Sequence, residues 1–153
     1  MFSRGKPGEP GPVVRRKDDE LELVELLWGL RPRRPGDSPV INLRSEGRLF
    51  TGNRCLAPAS DFVLRAPDRS RWRFRLREGG HFYLAGVWSP AEEDWPAAYA
   101  VLTTAANPDV ARIHHRQMAV IPAALAMEWV DGATPQDELL RPLPEGTYLA
   151  EPA

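Results

Sequence analysis

Hydrophobic and polar positions alternate most strictly in "RWRFRLR", residues 71–77, where Arg71, Arg73, Arg75 and Arg77 fall on one side and Trp72, Phe74 and Leu76 on the other. A period of two is that of a strand with one buried face. "EGG" then predicts a turn into a second apolar strand, "HFYLAGVW", and the two runs read as a hairpin. Residues 1–12 are rich in Gly and Pro and predict extended or turn-rich backbone. "PVVRR" and "LELVELLWGL" follow as a strand pair around the turn-like "KDDE", ending at Trp28-Gly29. "RPRRPGDSP" is a proline-punctuated loop and "VINLR" a short strand. "NRCLAPA" reads as a core strand among further strand and turn pieces.

Beyond residue 90 the pattern changes period. "AAYAVLTTAA" is another strand, and Asn107 is placed to cap a short helix with Pro108 at its first position. "MAVI" predicts a short buried strand. "PAALAMEWVDG" predicts a helix opening at Pro122, with Leu125, Trp129 and Val130 toward the core and Gly132 as its stop. There are no internal repeats. The sum is one α+β domain, spanning 1–153 and dominated by antiparallel strands, with one clear helix near the C-terminus.

Composition narrows the class. The 153 residues are 42% apolar and 27% charged, enough for a sizeable core. No apolar run approaches the roughly 18 residues of a membrane span, and "MFSRGKPGEPGPVVRRKDDE" has no secretory h-region. The single cysteine, Cys55, excludes an internal disulfide and a cysteine-based zinc cage. A reduced, cytoplasmic setting is expected. Net charge is −1, yet the charges are unevenly placed. Six arginines and one acid lie between Arg65 and Arg77, whereas residues 122–153 hold six acids and one arginine. Basic charge is thus concentrated where a phosphate backbone can use it.

Three features invite a chemical reading. In "RIHHRQMAVI" two of the chain's three histidines, His114 and His115, are adjacent. On a strand they would face opposite sides, so one at most serves a given site. An imidazole suits acid–base work near neutrality. A metal would need further ligands, and the remaining histidine, His81, belongs to a separate strand; no metal or cofactor is expected. The plain alternative for the pair is a solvated loop. In "NLRSEG", Asn42, Arg44, Ser45 and Glu46 follow a short apolar strand; Asn42 and Arg44 share its face, offering an amide to a carbonyl and a guanidinium to a phosphate, while an Asn that merely closes a turn is the simpler reading. The Arg71, Arg73, Arg75, Arg77 stripe suits a nucleic-acid backbone, with nearby aromatics for base stacking, or equally a solvent-facing strand guarded by charge. Cys55, among small apolar residues, reads as buried and inert.

Taken in order, "VINLRSEG", "NRCLAPASDF", "YLAGVW" and "VLTTAANPDVARIHHRQ" resemble the SOS-response-associated peptidase (SRAP) family. "PGEPGPVVRR…ELLWGL" resembles that family's early strand pair, and the likeness covers about residues 7–132. The resemblance implies a curved, barrel-like antiparallel sheet with few helices and a positive cleft for single-stranded DNA. It also implies capture of abasic sites through an N-terminal cysteine, whose amine and thiol close a thiazolidine on the sugar aldehyde. By this likeness Asn42 is the family asparagine, with Leu43 replacing alanine, and Arg44 is the arginine that contacts DNA. His114 and Arg116 match the family's His-x-Arg, which implies His114 as the reacting residue and His115 as the variable neighbour; a one-residue slip exchanges the two histidines.

Two departures accompany the likeness. The family begins Met-Cys and this chain begins Met1-Phe2, so the family's N-terminal segment with its cysteine is expected to be absent. Leu64 stands where the family has a glutamate, and Asp61 lies three positions too early to replace it. Cys55 cannot close a thiazolidine, because its nitrogen is a peptide nitrogen. Met1's amine allows only a reversible Schiff base. The leading expectation is a DNA-damage-response protein that binds single-stranded or abasic-site DNA, associates with the nucleoid when so bound, and cannot form the stable cross-link. The competing expectation is a non-catalytic protein-interaction module that retains the fold. A protease in its own right lacks a Ser-His-Asp or Cys-His set with a free nucleophile.

Overall fold

The computed structural model describes residues 5–153; Met1 and Phe2, with the expectations attached to them, lie outside the described residues. The expected strand pair is β1 (Pro10–Lys17) and β2 (Glu20–Trp28), antiparallel in unbroken register from Pro10 opposite Leu27 to Lys17 opposite Glu20. The turn between them is Asp18-Asp19, both at positive φ, the geometry that matches the twist of a two-residue hairpin. β3 (Asn42–Arg44) and β4 (Arg54–Ala59) follow the proline-rich loop. β5 (Phe62–Arg65), β6 (Arg71–Leu76), β7 (Phe82–Ser89) and β8 (Ala98–Ala105) complete the central run.

Pairing closes five of these strands into a ring. β7 pairs with β4, β4 with β1, β1 with β2, β2 with β8, and β8 returns to β7. Closure removes the sheet edges that these apolar strands would otherwise expose. The sheet is curved and barrel-like as expected, but it is not wholly antiparallel. β2 and β3 both run parallel to β8, because the segments joining them to β8 are long enough to return the chain to the same end.

The expected hairpin of residues 71–77 with "HFYLAGVW" does not form. β6 pairs instead with β5 on one side and with β11 (Tyr148–Pro152) on the other, in a separate three-stranded sheet. Its two edges are filled, and β7 goes to the ring. Gly79 and Gly80, both at positive φ, turn the chain between the two sheets rather than within one. β11 lies in the acidic tail, where no strand was expected; Leu149 and Glu151 face the arginine side of β6 in register with Arg75 and Arg73.

Continuous apolar runs in β4 and β7 reflect burial on both faces. Cys55, Ala57, Ala59, Phe82 and Leu84 join one core cluster with Trp28, Tyr99, Phe62 and Phe74. Leu56, Ala85, Val87 and Leu102 join a second, under the C-terminal helices. The predicted helix is a 3₁₀ turn at Ala123–Leu125 leading into α2 (Ala126–Asp131), with Gly132 left-handed as its stop. Trp129 is fully buried as expected. Leu125, placed in the core by periodicity, is 37% exposed, since the 3₁₀ turn rotates it off the apolar face. A further short helix, α3 (Gln136–Leu139), packs on the second cluster. Among the described residues no helix is long and apolar enough to cross a membrane.

Candidate nucleic-acid interface

Strand β8 organises the candidate residues. β3 runs along it, placing Asn42 opposite Val101 and Arg44 opposite Thr103. Asn42 and Arg44 are exposed on the same face and Leu43 points the other way, as the alternation required. β9 (Arg116–Met118) joins β8 antiparallel, with Arg116 opposite Ala105 and Met118 opposite Thr103. β10 (Val120–Ile121) passes on to β7, so "MAVI" is divided between two partners at Ala119.

Between β8 and β9 the chain makes a closed excursion. α1 (Pro108–Ala111) opens on Asn107, whose Oδ1 accepts from the Val110 N–H at 3.0 Å. Asn107 is fully buried, and its own N–H donates to Gln117 Oε1 at 2.9 Å. Asp109 accepts from the backbone N–H groups of Gly146 and Tyr148, which ties α1 to β11. Partial burial pushes the Asp109 carboxyl up, but those two N–H groups, the Asn107 amide and Arg77 together hold it below its ordinary value. The excursion ends with the His114 N–H on Val110 O and the His115 carbonyl accepting from Ala106.

The histidines are therefore not on a strand. They sit in the bend before β9, and their rings stack 4.8 Å apart at 13° instead of facing opposite sides. Helical backbone leading into a bend does not impose the strand's alternation. His114 Nδ1 lies 3.0 Å from the Arg116 N–H and 2.9 Å from the Arg116 carbonyl. A ring that accepts the N–H carries its proton on Nε2; a ring protonated at Nδ1 donates to the carbonyl. In both cases Nδ1 is engaged locally, and among the described residues no hydrogen bond engages Nε2.

Arg116 is held more firmly than sequence suggests. Its Nη1 and Nη2 reach the two carboxylate oxygens of Glu46 at 2.7 and 2.8 Å, and Nη2 also donates to Thr103 Oγ1 at 2.8 Å. The Arg116 side chain is only 15% exposed, whereas that of Arg44, whose Nε lies 3.7 Å from Glu46 Oε1, is 69% exposed. The Arg116 hydrogen bonds outweigh the partial desolvation and pull the Glu46 carboxyl down to about 2. One carboxylate thus joins the guanidiniums of two sequence-distant motifs. Beside it a cleft of about 250 Å³ runs between Ser45–Arg48, the end of β8, and Gln136–Pro142. Sequence assigns no role to Glu46 or Thr103, because only the fold brings them to Arg116.

The arginine stripe lies elsewhere, on the three-stranded sheet. Arg73 pairs with Asp61 at 3.3 Å and Arg75 with Glu151 at 3.4 Å, while Arg77 donates to the Gly146 carbonyl. Leu64, opposite Trp72 on β5, packs against the first core cluster. Cys55 is fully buried, and burial pushes its thiol far above the ordinary value despite nearby Arg15. Among the described residues no three His, Cys, Asp or Glu side chains are grouped to hold a metal.

Comparison with known proteins places the chain as a whole. The model of the family described as SOS response associated peptidase (SRAP) matches residues 5–152. The chain belongs to the SRAP family. The expected family resemblance is thereby shown, over a longer stretch than the motifs alone spanned. Solved structures share the fold. A protein from Bordetella bronchiseptica, 22% identical, superposes with a TM-score of 0.78 over 96% of this chain and 85% of its own. A phage-related protein from the same organism is 26% identical, with a TM-score of 0.73 over 96% and 79%. A protein from Bacteroides thetaiotaomicron is 18% identical, with a TM-score of 0.74 over 95% and 74%. No curated protein matches this SRAP chain significantly.

Proposed function

We propose that this SRAP protein binds single-stranded DNA, including strands with an abasic site, and that the residues described here do not support the family's stable thiazolidine cross-link. What supports the first part is the convergence of Arg44 and Arg116 on Glu46, with Asn42 on the same strand face and His114 adjoining Arg116. This joins a nearly buried guanidinium to an exposed one at a single carboxylate, and guanidiniums suit phosphate oxygens. His114 Nε2 is available to give or take a proton at the sugar. The paired arginines of the β6 stripe contribute less, since each phosphate contact there must displace Asp61 or Glu151.

Two observations support the second part. Cys55 combines a peptide nitrogen with a buried, protonated thiol, so it offers neither half of the ring. Leu64 puts a packed alkyl group where the resemblance leads one to expect a carboxylate, and Asp61 is tied to Arg73.

The test is a single-stranded oligonucleotide carrying one abasic site, incubated with the purified chain. A native shift that weakens steeply between two salt concentrations, with no band surviving denaturation unless borohydride is added, is the expected result. Arg44→Ala should weaken that shift about tenfold, more than Arg75→Ala. A denaturation-stable band without reductant would overturn the second part. Absence of any shift would overturn the first and favour a protein-interaction module.

A further inference from the structure

We propose that Glu46 is a positioning residue for DNA binding: it holds Arg116 and Arg44 together as one preorganised cationic pair rather than competing with the strand for them. The inference rests on the DNA-binding reading above. Two guanidiniums at one site repel each other, and a long arginine side chain left alone samples many rotamers. Glu46 counters both effects. Its two oxygens take Nη1 and Nη2 of Arg116, its Oε1 faces Nε of Arg44, and Thr103 Oγ1 fixes the Arg116 fork from β8. No hydrogen bond engages Arg116 Nε among the described residues, and Arg44 is mostly exposed, so each keeps donors for a phosphate oxygen. The low-lying Glu46 carboxyl stays ionised throughout the neutral range, so the arrangement persists wherever DNA is bound. With Glu46 the three side chains sum to one positive charge; without it they sum to two.

That arithmetic makes the sign of the test decisive. If Glu46 only competes for the arginines, its neutralisation tightens binding to a polyanion; if it positions them, neutralisation weakens binding although the site has become more positive. The experiment measures oligo-dT affinity for the full chain and its Glu46→Gln, Glu46→Asp and Thr103→Val variants across a salt series. Glu25→Gln, at an exposed position of β2, reports the effect of one unit of net charge outside the site. Expected are about fivefold weaker binding for Glu46→Gln and a salt slope shallower by about one. Partial rescue in Glu46→Asp and a smaller loss of the same sign in Thr103→Val should accompany it. Thr103→Val also tests the idea should Glu46→Gln fold poorly, since it loosens Arg116 without altering charge. Wild-type binding with Glu46→Gln equal or tighter would overturn the positioning role and leave DNA binding intact. Absence of wild-type binding would overturn both.

Discussion

At the scale of single residues, the chemistry of this protein is set by which charges have partners. Arg116 and Arg44 carry the same charge, yet one is fixed by three hydrogen bonds and the other is mostly exposed, with a longer ion pair to Glu46. Glu46 sets that difference and has its own stability signature. Its folded-state carboxyl lies near 2 against 4.5 for an unperturbed glutamate, so its stabilising contribution is complete above about pH 4.5 and is lost as pH falls toward 2. Solvent screening at this half-exposed carboxylate leaves about 1 kcal/mol or less. Urea titrations of wild type and Glu46→Gln should therefore differ by that amount at pH 6 and converge near pH 2. A constant offset across the range would show that Glu46 acts through packing. Cys55 is the opposite case, a reactive group made inert by burial.

At the scale of elements, α1 shows how a four-residue helix can be rigid. Too short to be stable alone, it is held at its start by the Asn107 cap and along its side by Asp109, which reaches across to β11. The tail strand and the bend carrying His114 are thus one mechanical unit. Asp109→Ala removes the acceptor for the Gly146 and Tyr148 N–H groups and should cost about 1–3 kcal/mol. Hydrogen exchange would show it first at those two amides; unchanged protection there would mean that β11 is held by β6 alone. β6 carries the second lesson at this scale. Its alternation correctly assigns the arginine face and the Trp72, Phe74, Leu76 face, but a two-residue period names a face and not a neighbour. Proximity in sequence favoured β7; the strand that completes β6 comes instead from the end of the chain.

At the scale of the whole molecule, closure of the ring makes demands that no local pattern reveals. Gly86 lies on β7 between Cys55 of β4 and Val101 of β8. A Cβ there would meet the Ala100 carbonyl at 2.8 Å and Cys55 Sγ at 3.0 Å. Gly86→Ala should destabilise by about 1–3 kcal/mol through overpacking. Adding Cys55→Ala should recover only part of the loss, because the contact with the carbonyl remains. Full recovery in the double variant, measured by thermal unfolding, would show that the sulfur contact alone is limiting.

Sequence alone determined the local events: the β1–β2 turn at Asp18-Asp19, the Asn107-Pro108 helix start, the Gly132 stop, the burial of Cys55, and a motif order sufficient to indicate the SRAP family. Each depends on neighbours within a few residues, where backbone preference and side-chain period act directly. Tertiary structure decided what required distant segments to meet. It stacked the two histidines, gave β6 its partners, turned Leu125 outward, and placed Glu46 between two arginines from separate strands. A side chain's charge is written in its residue type. Whether that charge is already spent is set by what the closed ring and its crossing loops bring within about 3 Å of it.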